Sequence, residues 1–466
     1  MTQPPAALAT TATLGLRDYQ EAAIRALRRE MTPAPRGPGH RRVVLVMPTG
    51  SGKTRTAAAL VSCAAAKGGR VLWLVHRAEL VEQAAATLES LGLTVGVVAA
   101  SSKRRTDADA ICQVASVQTL VARDTHRPPA TLIVWDEAHH ASEAAECWAG
   151  LLDAYRDVPI VGLTATPERG DGAGLAGIFN GLVVGASVAA LTAAGHLVPC
   201  EILRPAHQLE PGRVAQDPIA AYLAHGAGRQ AILFARNVEE AQRYREALQA
   251  AGVRAECVTA TTPDADRAAV LELYRRGVVR VLTNVYVMTE GTDLPGAAVC
   301  ILARGAGSAG IYLQMVGRVL RPAPGKTSAL LLDLRGVSHQ HGAPEDERLY
   351  SLDGRGIRLV GERKCPVCSA LLEGYPCANC GYCPEAGEAA ETVVEGVPLV
   401  KFSRKRAEGP EEKRATLLRW VREALDRGHK PASVRFKWRA VYAEELPTRA
   451  LMAAVAEVSA GHPVQR

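Results

Sequence analysis

The chain has 466 residues, of which 48% are hydrophobic and 22% charged, as in a globular protein long enough for about three domains. No apolar run has membrane-spanning length, and the start lacks the basic and apolar parts of a secretion signal, so we expect a cytoplasmic protein without a membrane partner. The net charge of +7 lies in residues 401–466, with 15 Lys and Arg against 8 Asp and Glu; this pattern suits a polyanion partner and a solvated helix face equally well.

A glycine loop between a strand and a helix is the first element with chemistry. Residues 1–13 are small and polar and are expected to be disordered, and an amphipathic helix follows up to Glu30. The apolar run Val43–Val46 predicts a buried strand, and the Ala-rich segment Thr54–Lys67 predicts a helix. The loop between strand and helix predicts a phosphate cradle and consists of Thr49, Gly50, Ser51, Gly52, Lys53 and Thr54.

The chemistry of that loop follows from its residue types. Gly50 and Gly52 let the backbone turn so that N–H groups face an anion, Lys53 reaches the outer phosphates, and the Thr54 hydroxyl can hold Mg²⁺. Met47 stands where a glycine is usual. The ending Gly-Lys-Thr is nevertheless specific for a nucleotide site.

Apolar runs then alternate with helical stretches, which predicts parallel sheets covered by helices. A first set of runs lies between residues 71 and 163, and a second between 231 and 334. The fold class is therefore α/β, with two tandem domains predicted at 14–208 and 209–340. The boundary is placed near Pro205–Pro218, where Pro, Gly and charge interrupt the apolar rhythm.

Two carboxylates follow the apolar run Leu132–Trp135. Asp136 and Glu137 therefore lie at the carboxyl end of a strand, where α/β sheets carry their ligand sites. Asp136 can hold Mg²⁺ and Glu137 can activate the attacking water. Alone, such a pair is as typical of a helix N-terminus, but together with the phosphate cradle it indicates nucleotide hydrolysis.

An ordered series of motifs resembles the superfamily 2 helicases. Leu16–Gln20 is similar to the Q motif, Gly50–Thr54 to motif I, and Asp136–His139 is a DEAH box. Thr164–Pro167 is similar to motif III, Thr289–Pro295 to motif V, and Gln314–Pro322 to motif VI. The resemblance covers residue 14 to about residue 340 and implies that the two α/β domains are RecA-like.

The resemblance implies a role for each matching residue. It implies that Arg17 and Gln20 read the adenine, that Gly291 and Asp293 contact the nucleotide, and that Gln314 lies near the γ-phosphate or the water. Arg318 and Arg321 would reach across the cleft as arginine fingers, with a helix-terminal charge pair as the alternative. Because the fingers come from the second domain, hydrolysis is expected to require closure of the cleft.

Nucleic-acid contacts are implied by further segments. Leu74–Leu80 resembles motif Ia and Ser116–Leu120 resembles motif Ib, whose polar groups touch the sugar-phosphate backbone in the family. Arg77, Gln118, Thr119 and Thr289 are the candidates, and backbone contact of this kind carries no sequence specificity. A cap or surface role is the alternative for each.

Paired cysteines mark the region 341–385. Cys365 and Cys368 form one CxxC pair, and Cys377 and Cys380 form a second. Four thiolates at this spacing predict a structural Zn²⁺ site. A zinc-bearing tail after such a core resembles RadD-type and short phage-borne helicases.

The chain ends in a basic tail. Residues 386–410 are interpreted as a linker with one possible strand, and 411–466 as a basic helical domain in which Leu417, Trp420 and Val421 share a face. The segment Arg435-Phe436-Lys437-Trp438-Arg439 interleaves basic and aromatic residues. It suits phosphate binding with base stacking, and equally the small core of the tail.

These features predict an ATP-dependent DNA helicase or translocase that uses ATP, Mg²⁺ and Zn²⁺ and acts as a monomer on nucleic acid. An RNA helicase is the alternative enzyme, and motif VI together with the zinc tail favours DNA. The alternative of another class is a clamp that binds ATP without hydrolysis. Its mark would be the loss of Lys53, Glu137 or Arg321, all of which are present.

Overall fold

The computed structural model describes most of the chain up to residue 353 and shorter stretches after it. The described residues are 15–31, 42–76, 78–100, 102, 107–122, 127–142, 145–169, 174–206, 209, 213–289, 293–353, 357–359, 392–393, 397–402, 414, 417–422, 425, 434 and 448–460. The chain divides into a larger unit, residues 1–358 with 386–401, and a smaller unit, residues 359–385 with 402–466. None of the described helices is long and apolar enough to cross a membrane.

The first sheet of the larger unit is parallel throughout. Its seven strands are β1 Arg42–Val46, β2 Val71–Val75, β3 Val95–Val98, β4 Cys112–Ser116, β5 Leu132–Trp135, β6 Ile160–Thr164 and β7 Gly181–Val184, in the order β3-β4-β2-β5-β6-β1-β7. All five residues of β2 and of β6 are buried, because helices cover both faces of a parallel sheet. The continuous apolar runs of the sequence are thereby explained.

Helices and short turns connect these strands. They are α1 Asp18–Met31, α2 Lys53–Ala65, α3 Ala78–Glu89, α4 Val117–Ala122, α5 Ala145–Ala154 and α6 Val188–Ala193, with a 3-10 turn at Ala138–Ser142. Helix α1 buries Ala23, Ile24 and Leu27 in the core under the sheet. These three residues recur at helical spacing, so the predicted amphipathic helix is confirmed.

The second sheet has the same plan with one antiparallel edge. Its strands are β8 Cys200–Pro205, β10 Gln230–Phe234, β11 Ala255–Val258, β12 Val281–Asn284, β13 Ala297–Leu302, β14 Ala329–Asp333 and β18 Leu399–Lys401, in the order β11-β12-β10-β13-β14-β8-β18. Its helices are α7 Pro218–Ala221, α8 Val238–Ala250, α9 Asp264–Arg275, α10 Ala309–Gly317 and α11 Val337–His341. A π-helical turn spans Tyr222–Gly226, and a 3-10 turn spans Val287–Thr289.

Four short strands form the remaining two pairs. Strand β9 Arg213–Val214 pairs with β17 Thr392–Val393, and β15 Arg348–Leu349 pairs with β16 Arg358–Leu359. The two larger sheets confirm the predicted α/β fold with two RecA-like domains.

The strands correct two predicted boundaries. Strand β8 pairs with β14, so the chain enters the second sheet at Cys200 and not near residue 209. The Pro- and Gly-rich loop that suggested the boundary follows β8 and lies within the second domain. In the predicted linker, β18 pairs antiparallel with β8, so this segment contributes an edge strand to the second sheet. Residues 341–358, assigned from sequence to the zinc region, belong to the larger unit.

The smaller unit has its own small core. Leu417, Trp420 and Val421 lie on one helical segment and are buried with Val434 and with helix α12, Thr448–Ala460. The Arg414 guanidinium pairs with the Glu457 carboxylate at 2.9 Å. The apolar face predicted for this tail is therefore confirmed.

Candidate nucleotide site

The phosphate loop joins β1 to α2, and its shape requires two glycines. Gly50 has φ +84° and Gly52 has φ +81°, a backbone region that side chains rarely adopt. A Cβ on Gly52 would lie 2.7 Å from Gln20 Nε2, and one on Gly50 would lie 2.9 Å from Arg321 Cγ. The loop therefore packs tightly against a first-domain residue on one side and a second-domain residue on the other.

Residues at the start of α1 hold this loop in place through hydrogen bonds. Tyr19 donates its hydroxyl hydrogen to the Ser51 carbonyl at 2.7 Å. Gln20 is 3% exposed; its Oε1 accepts from the Arg17 backbone N–H at 3.0 Å, and its Nε2 faces the Ser51 carbonyl at 3.4 Å. The structure thus gives Gln20 a role in fixing the loop, and adenine recognition by Arg17 and Gln20 stays a prediction.

A cavity of about 480 Å³ opens from the loop between the two sheets. Residues from both domains line it, among them Thr49, Gly50, Gly52, Lys53, Thr54, Asp136, Glu137, Asp293, Arg318 and Arg321. Every one of these residues was predicted from the sequence as part of the nucleotide site. The fold therefore collects in one cleft groups that are far apart in the chain.

Lys53 lies deep in this cavity. Its ammonium donates to the Met47 carbonyl at 3.3 Å. Burial lowers the pKa of Lys53, while the nearby carboxylates of Glu137 and Asp136 act in the opposite direction. A buried ammonium with a long hydrogen bond to a neutral carbonyl is suited to an anionic ligand, which would restore its lost hydration.

Asp136 and Glu137 follow β5 directly. Burial, and next the charge of Glu137, raise the pKa of Asp136 to about 7. Glu137 has φ +50°, a strained conformation for this residue type and one that is often found at functional sites. Its Oε2 accepts no hydrogen bond from the described residues and lies 3.4 Å from His139 Nδ1.

These two carboxylates fit a divalent cation. Asp136 and the Thr54 hydroxyl line the same cavity, and oxygen ligands of these two kinds are the ones that Mg²⁺ prefers. The Glu137 carboxylate beside it disfavours the charged form of the buried Asp136, and this contributes to the raised pKa of Asp136. A cation at this point would remove that penalty.

A hydrogen-bonded series crosses the cleft at His139. Gln314 donates its Nε2 hydrogen to His139 Nε2 at 3.1 Å, and His139 Nδ1 lies 3.1 Å from Thr164 Oγ1. Thr164 in turn donates to the Thr166 carbonyl at 2.6 Å. Since the Thr164 hydrogen is used there, Nδ1 of His139 carries the proton and Nε2 accepts from Gln314. Sequence motifs II, III and VI therefore meet in one buried series.

The arginines of motif VI stand at the opposite wall. Arg318 is 5% exposed, and both Arg318 and Arg321 act on the pKa of Lys53 through their charge. Arg321 Nη1 donates to Asp293 Oδ1 in a short ion pair. Helix α10, which ends directly before Arg318, lies close to the first domain. A Cβ on its last residue, Gly317, would lie 2.6 Å from Thr49 Cβ.

The predicted nucleic-acid residues separate into two groups. Gln118 is exposed and donates its Nε2 hydrogen to the His76 carbonyl at 2.9 Å, whereas Thr119 is 8% exposed and its hydroxyl accepts from Ala100 N–H at 3.1 Å. Gln118 is therefore the accessible member of the pair, and Thr119 has a structural contact inside the protein. Thr289 ends a 3-10 turn. Outside the description lie Arg77, Gly291, Cys365, Cys368, Cys377, Cys380, Arg435, Phe436, Lys437, Trp438, Arg439 and the Thr289 side chain.

Sequence reasoning missed some groups at this cleft and near it. His139 and Thr164 were read only as motif letters, although their positions after β5 and at the end of β6 could have indicated a contact. At the carboxyl edge of the second sheet, the Arg304 guanidinium lies 3.4 Å above the Tyr286 ring, and Tyr286 has φ +57°. The local sequence does not predict the contact between Arg304 and Tyr286, because the two residues follow different strands.

Two families match the two sheets separately. Residues 13–169 match the family described as type III restriction enzyme, res subunit, and residues 216–323 match the helicase conserved C-terminal domain. The first range holds the phosphate loop and the carboxylates, and the second holds the arginines. The chain belongs to the superfamily 2 helicases. Both matched ranges contribute residues to the cavity between the sheets.

Individual relatives agree with this family. A 51.5 kDa protein of a Lactococcus phage (isolate 7-9) is 31% identical to this helicase, over 72% of the helicase and 76% of the phage protein. A protein of Saccharomyces cerevisiae named as the ATP-dependent helicase IRC3 is 27% identical over 69% of this chain and 52% of its own length. The chain thus spans about half the length of that yeast relative.

More distant proteins extend the comparison. Relatives from Halobacterium salinarum, Haloarcula marismortui and Sulfurisphaera tokodaii are 25% to 29% identical and are named as DNA 3'-5' helicases or as a DNA 3'-5' translocase. A fragment of an HsdR subunit of a type I restriction enzyme from Vibrio vulnificus YJ016 aligns with a TM-score of 0.52 at 19% identity, over 74% of this chain and 70% of that one. That likeness shows a shared fold.

Proposed function

We propose that this helicase hydrolyses ATP between its two sheets and uses the accompanying change in the cleft to move along DNA or to remodel it. One observation carries the proposal. The cavity is lined by Lys53, Asp136 and Glu137 of the first domain and by Arg318 and Arg321 of the second. Phosphoryl transfer to water needs both sets of groups, and the cleft can supply both only when the domains are together.

The first domain binds the nucleotide. Lys53 and the N–H groups of the phosphate loop bind the outer phosphates, with the positive end of α2 behind them. Thr54 and Asp136 hold Mg²⁺, which when bound neutralises charge on the phosphate oxygens. Arg17 and Gln20 at the start of α1 are the proposed adenine contacts, supported by their place beside the loop.

Glu137 handles the proton of the attacking water. Glu137 lines the cavity, and its Oε2 accepts no hydrogen bond from the described residues, so the carboxylate keeps the capacity to accept one from the attacking water. The strained backbone at Glu137 fixes where this oxygen lies.

The second domain supplies charge to the transition state. Arg318 and Arg321 stabilise the negative charge that develops on the transferring phosphoryl group. Arg321 is held by Asp293, so it exchanges one anionic partner for another when the nucleotide is in place. The hydrogen bond from Gln314 to His139 links the second domain to the first.

Several features favour DNA as the partner. The relatives named above act on DNA by name, and the family that matches the first domain is one of restriction enzymes. Gln118 and the Arg304–Tyr286 pair lie exposed or half-buried at sheet edges, where a guanidinium and a ring can contact phosphate and base. The basic tail, including residues 435–439, provides a second proposed contact.

The experiment compares ATP turnover with four polynucleotides. Turnover by the full chain should rise with single-stranded, duplex or forked DNA above its level with RNA of the same sequence, because the site is proposed to be coupled to DNA. A rise with RNA alone would establish the RNA helicase instead. Tight ATP binding without turnover under any condition would establish the non-hydrolysing clamp.

Zinc is a separate proposal for the cysteine-rich segment. We propose that Cys365, Cys368, Cys377 and Cys380 hold one structural Zn²⁺, as their spacing predicts. The purified chain should contain one zinc per molecule by elemental analysis, and Cys365→Ser and Cys380→Ser should each lower that content. ATP turnover without DNA should survive these changes, because the sheets have their own cores. A zinc-free wild-type chain would refute the site.

A further inference from the structure

Lys326 lies just beyond motif VI on a tight turn. The Lys326 N–H donates to the Ala323 carbonyl at 3.0 Å, and Gly325 in the third position of this turn has φ +74°. Pro324 in the second position and a positive φ in the third are the marks of a type II turn. The turn reverses the chain after Arg321 and brings the side chain of Lys326 back toward it.

The ammonium of Lys326 joins two separate segments. It donates to the Arg321 carbonyl at 2.7 Å, to the Ala297 carbonyl at 2.5 Å and to the Pro295 carbonyl at 3.1 Å. A lysine ammonium has three donors, so these contacts use all of them. Motif VI, at Arg321, and the end of motif V, at Pro295, are thereby fixed relative to each other.

The same two segments meet a second time through side chains. Arg321 pairs with Asp293, which lies two residues before Pro295. Lys326 therefore closes a ring that runs from the Arg321 backbone through its guanidinium to Asp293, along the chain to Pro295, and back through the ammonium. The ammonium sets the backbone from which both members of the Arg321–Asp293 pair project.

We propose that Lys326 is a positioning residue for ATP hydrolysis, which holds the backbone of Arg321 at the distance from which its guanidinium can leave Asp293 and reach the nucleotide. The inference rests on the proposed role of Arg321. Lys326 itself is outside the residues that line the nucleotide cavity, so it acts through Arg321 and not on the substrate.

The first test replaces the ammonium with an apolar chain of similar length. Lys326→Met should lower kcat for ATP by about 10- to 100-fold, since a misplacement of about 1 Å costs a catalytic group on that order. The KM for ATP should change by less than about twofold, because the binding groups belong to the first domain. Lys401→Met is the matched control: Lys401 is an exposed residue of the same sheet that pairs with Glu201, and its loss should leave kcat unchanged.

Folding is checked in the same series. Lys326→Arg keeps the charge and several donors, so it should fold with a melting temperature close to that of the wild type and lose less kcat than Lys326→Met. If Lys326→Arg and Lys326→Met both have wild-type kcat, or if both raise KM as much as they lower kcat, the positioning role is wrong.

A double-mutant cycle separates positioning from general stability. Because Lys326 is proposed to act through Arg321, the pair Lys326→Met with Arg321→Ala should have the kcat of Arg321→Ala alone. If the two losses multiply, Lys326 acts elsewhere and this inference is overturned while the role of Arg321 stands. If Arg321→Ala alone keeps wild-type kcat, the proposed finger is wrong and the inference falls with it.

The pH profile is a second readout. Burial, and next the charge of Arg321, lower the pKa of Lys326 to about 8, with Cys200 acting in the opposite direction. A neutral amine donates only two hydrogens, so one of the three carbonyls loses its donor above that pH. Wild-type kcat should fall as the pH rises through about 8, and the low kcat of Lys326→Met should be flat there. The same fall in Lys326→Met would assign the titration to another group.

Discussion

The two sheets of this helicase share a strand plan and differ in what they bring to the cleft. Each has seven strands with its central members parallel. The first contributes Lys53, next to a loop fixed by tight contacts with Gln20 and Tyr19, and two carboxylates that follow β5. The second contributes guanidinium groups, one of which is held by Asp293. The difference suggests that one sheet binds the nucleotide and the other controls its turnover.

The largest effect should follow from removing a second-sheet arginine. Arg321→Ala should lower kcat by about 10³- to 10⁵-fold with little change in KM, because such a finger acts on transition-state charge. The rate of phosphate release at saturating ATP measures this kcat. Arg276→Ala, an exposed arginine at the end of α9, is the control and should behave as wild type. A defect mainly in KM would break the division between the sheets.

Glu137 belongs to the first sheet, but we expect it to act in hydrolysis and not in the binding of ATP. Glu137→Gln should lower kcat by about 10²- to 10⁴-fold, as loss of a general base does, while the chain still binds ATP. Equilibrium binding of a fluorescent ATP analogue and turnover are measured together. The exposed Glu239 on α8 supplies a matched Gln variant. Wild-type turnover by Glu137→Gln would remove this residue from the mechanism.

The hydrogen bond between His139 and Gln314 tests how the sheets communicate. His139→Ala and Gln314→Ala should each reduce the stimulation of turnover by DNA, and the double variant should show a coupling of about 0.5 to 3 kcal/mol, as expected for side chains in one network. Strictly additive losses would show that the contact at 3.1 Å does not transmit between the domains.

The smallest expected effect concerns the basic tail, outside both sheets. If Arg435, Lys437 and Arg439 contact phosphates, changing all three to Ala should make the slope of log K against log salt shallower by roughly 2 to 3 units on duplex DNA. The control variant loses the same amount of charge on the second domain, through replacement of Arg243, Arg275 and Arg276 by Ala. An unchanged slope in the tail variant would leave the DNA contacts to the motor domains.

The aromatic residues of the tail give an independent comparison. Phe436→Ala and Trp438→Ala should each weaken binding to forked or single-stranded DNA by about 1 to 3 kcal/mol if they stack on bases. A drop of several degrees in melting temperature with intact binding would instead make them part of the tail's core.

Much of the first sheet and of the cleft was predictable from the sequence, because its signals are local. The run Val71–Val75 is apolar throughout because both faces of β2 are covered. Gly50 and Gly52 announce the loop because only glycine tolerates its backbone and its close neighbours. In these places a few adjacent residues carry the whole physical reason.

The remaining features depend on residues distant in the chain. Strand β8 was assigned to the wrong domain because its six residues, which include Glu201 and Arg204, do not indicate the strand with which they pair. The antiparallel β18 pairs with β8, although the two strands are separated by almost 200 residues in the chain. The contacts of Lys326 also escaped notice, since its three carbonyl partners lie on two segments that meet only in the fold.

The division of labour between the sheets is tested most directly by measuring ATP affinity for Lys53→Ala and Arg321→Ala side by side. Lys53 lies among the loop groups of the first sheet and Arg321 lies across the same cavity, so the two changes probe one site from its two walls. We expect Lys53→Ala to lose ATP binding, whereas Arg321→Ala should bind ATP with wild-type affinity and fail to hydrolyse it. Equal losses of affinity in the two variants would contradict it.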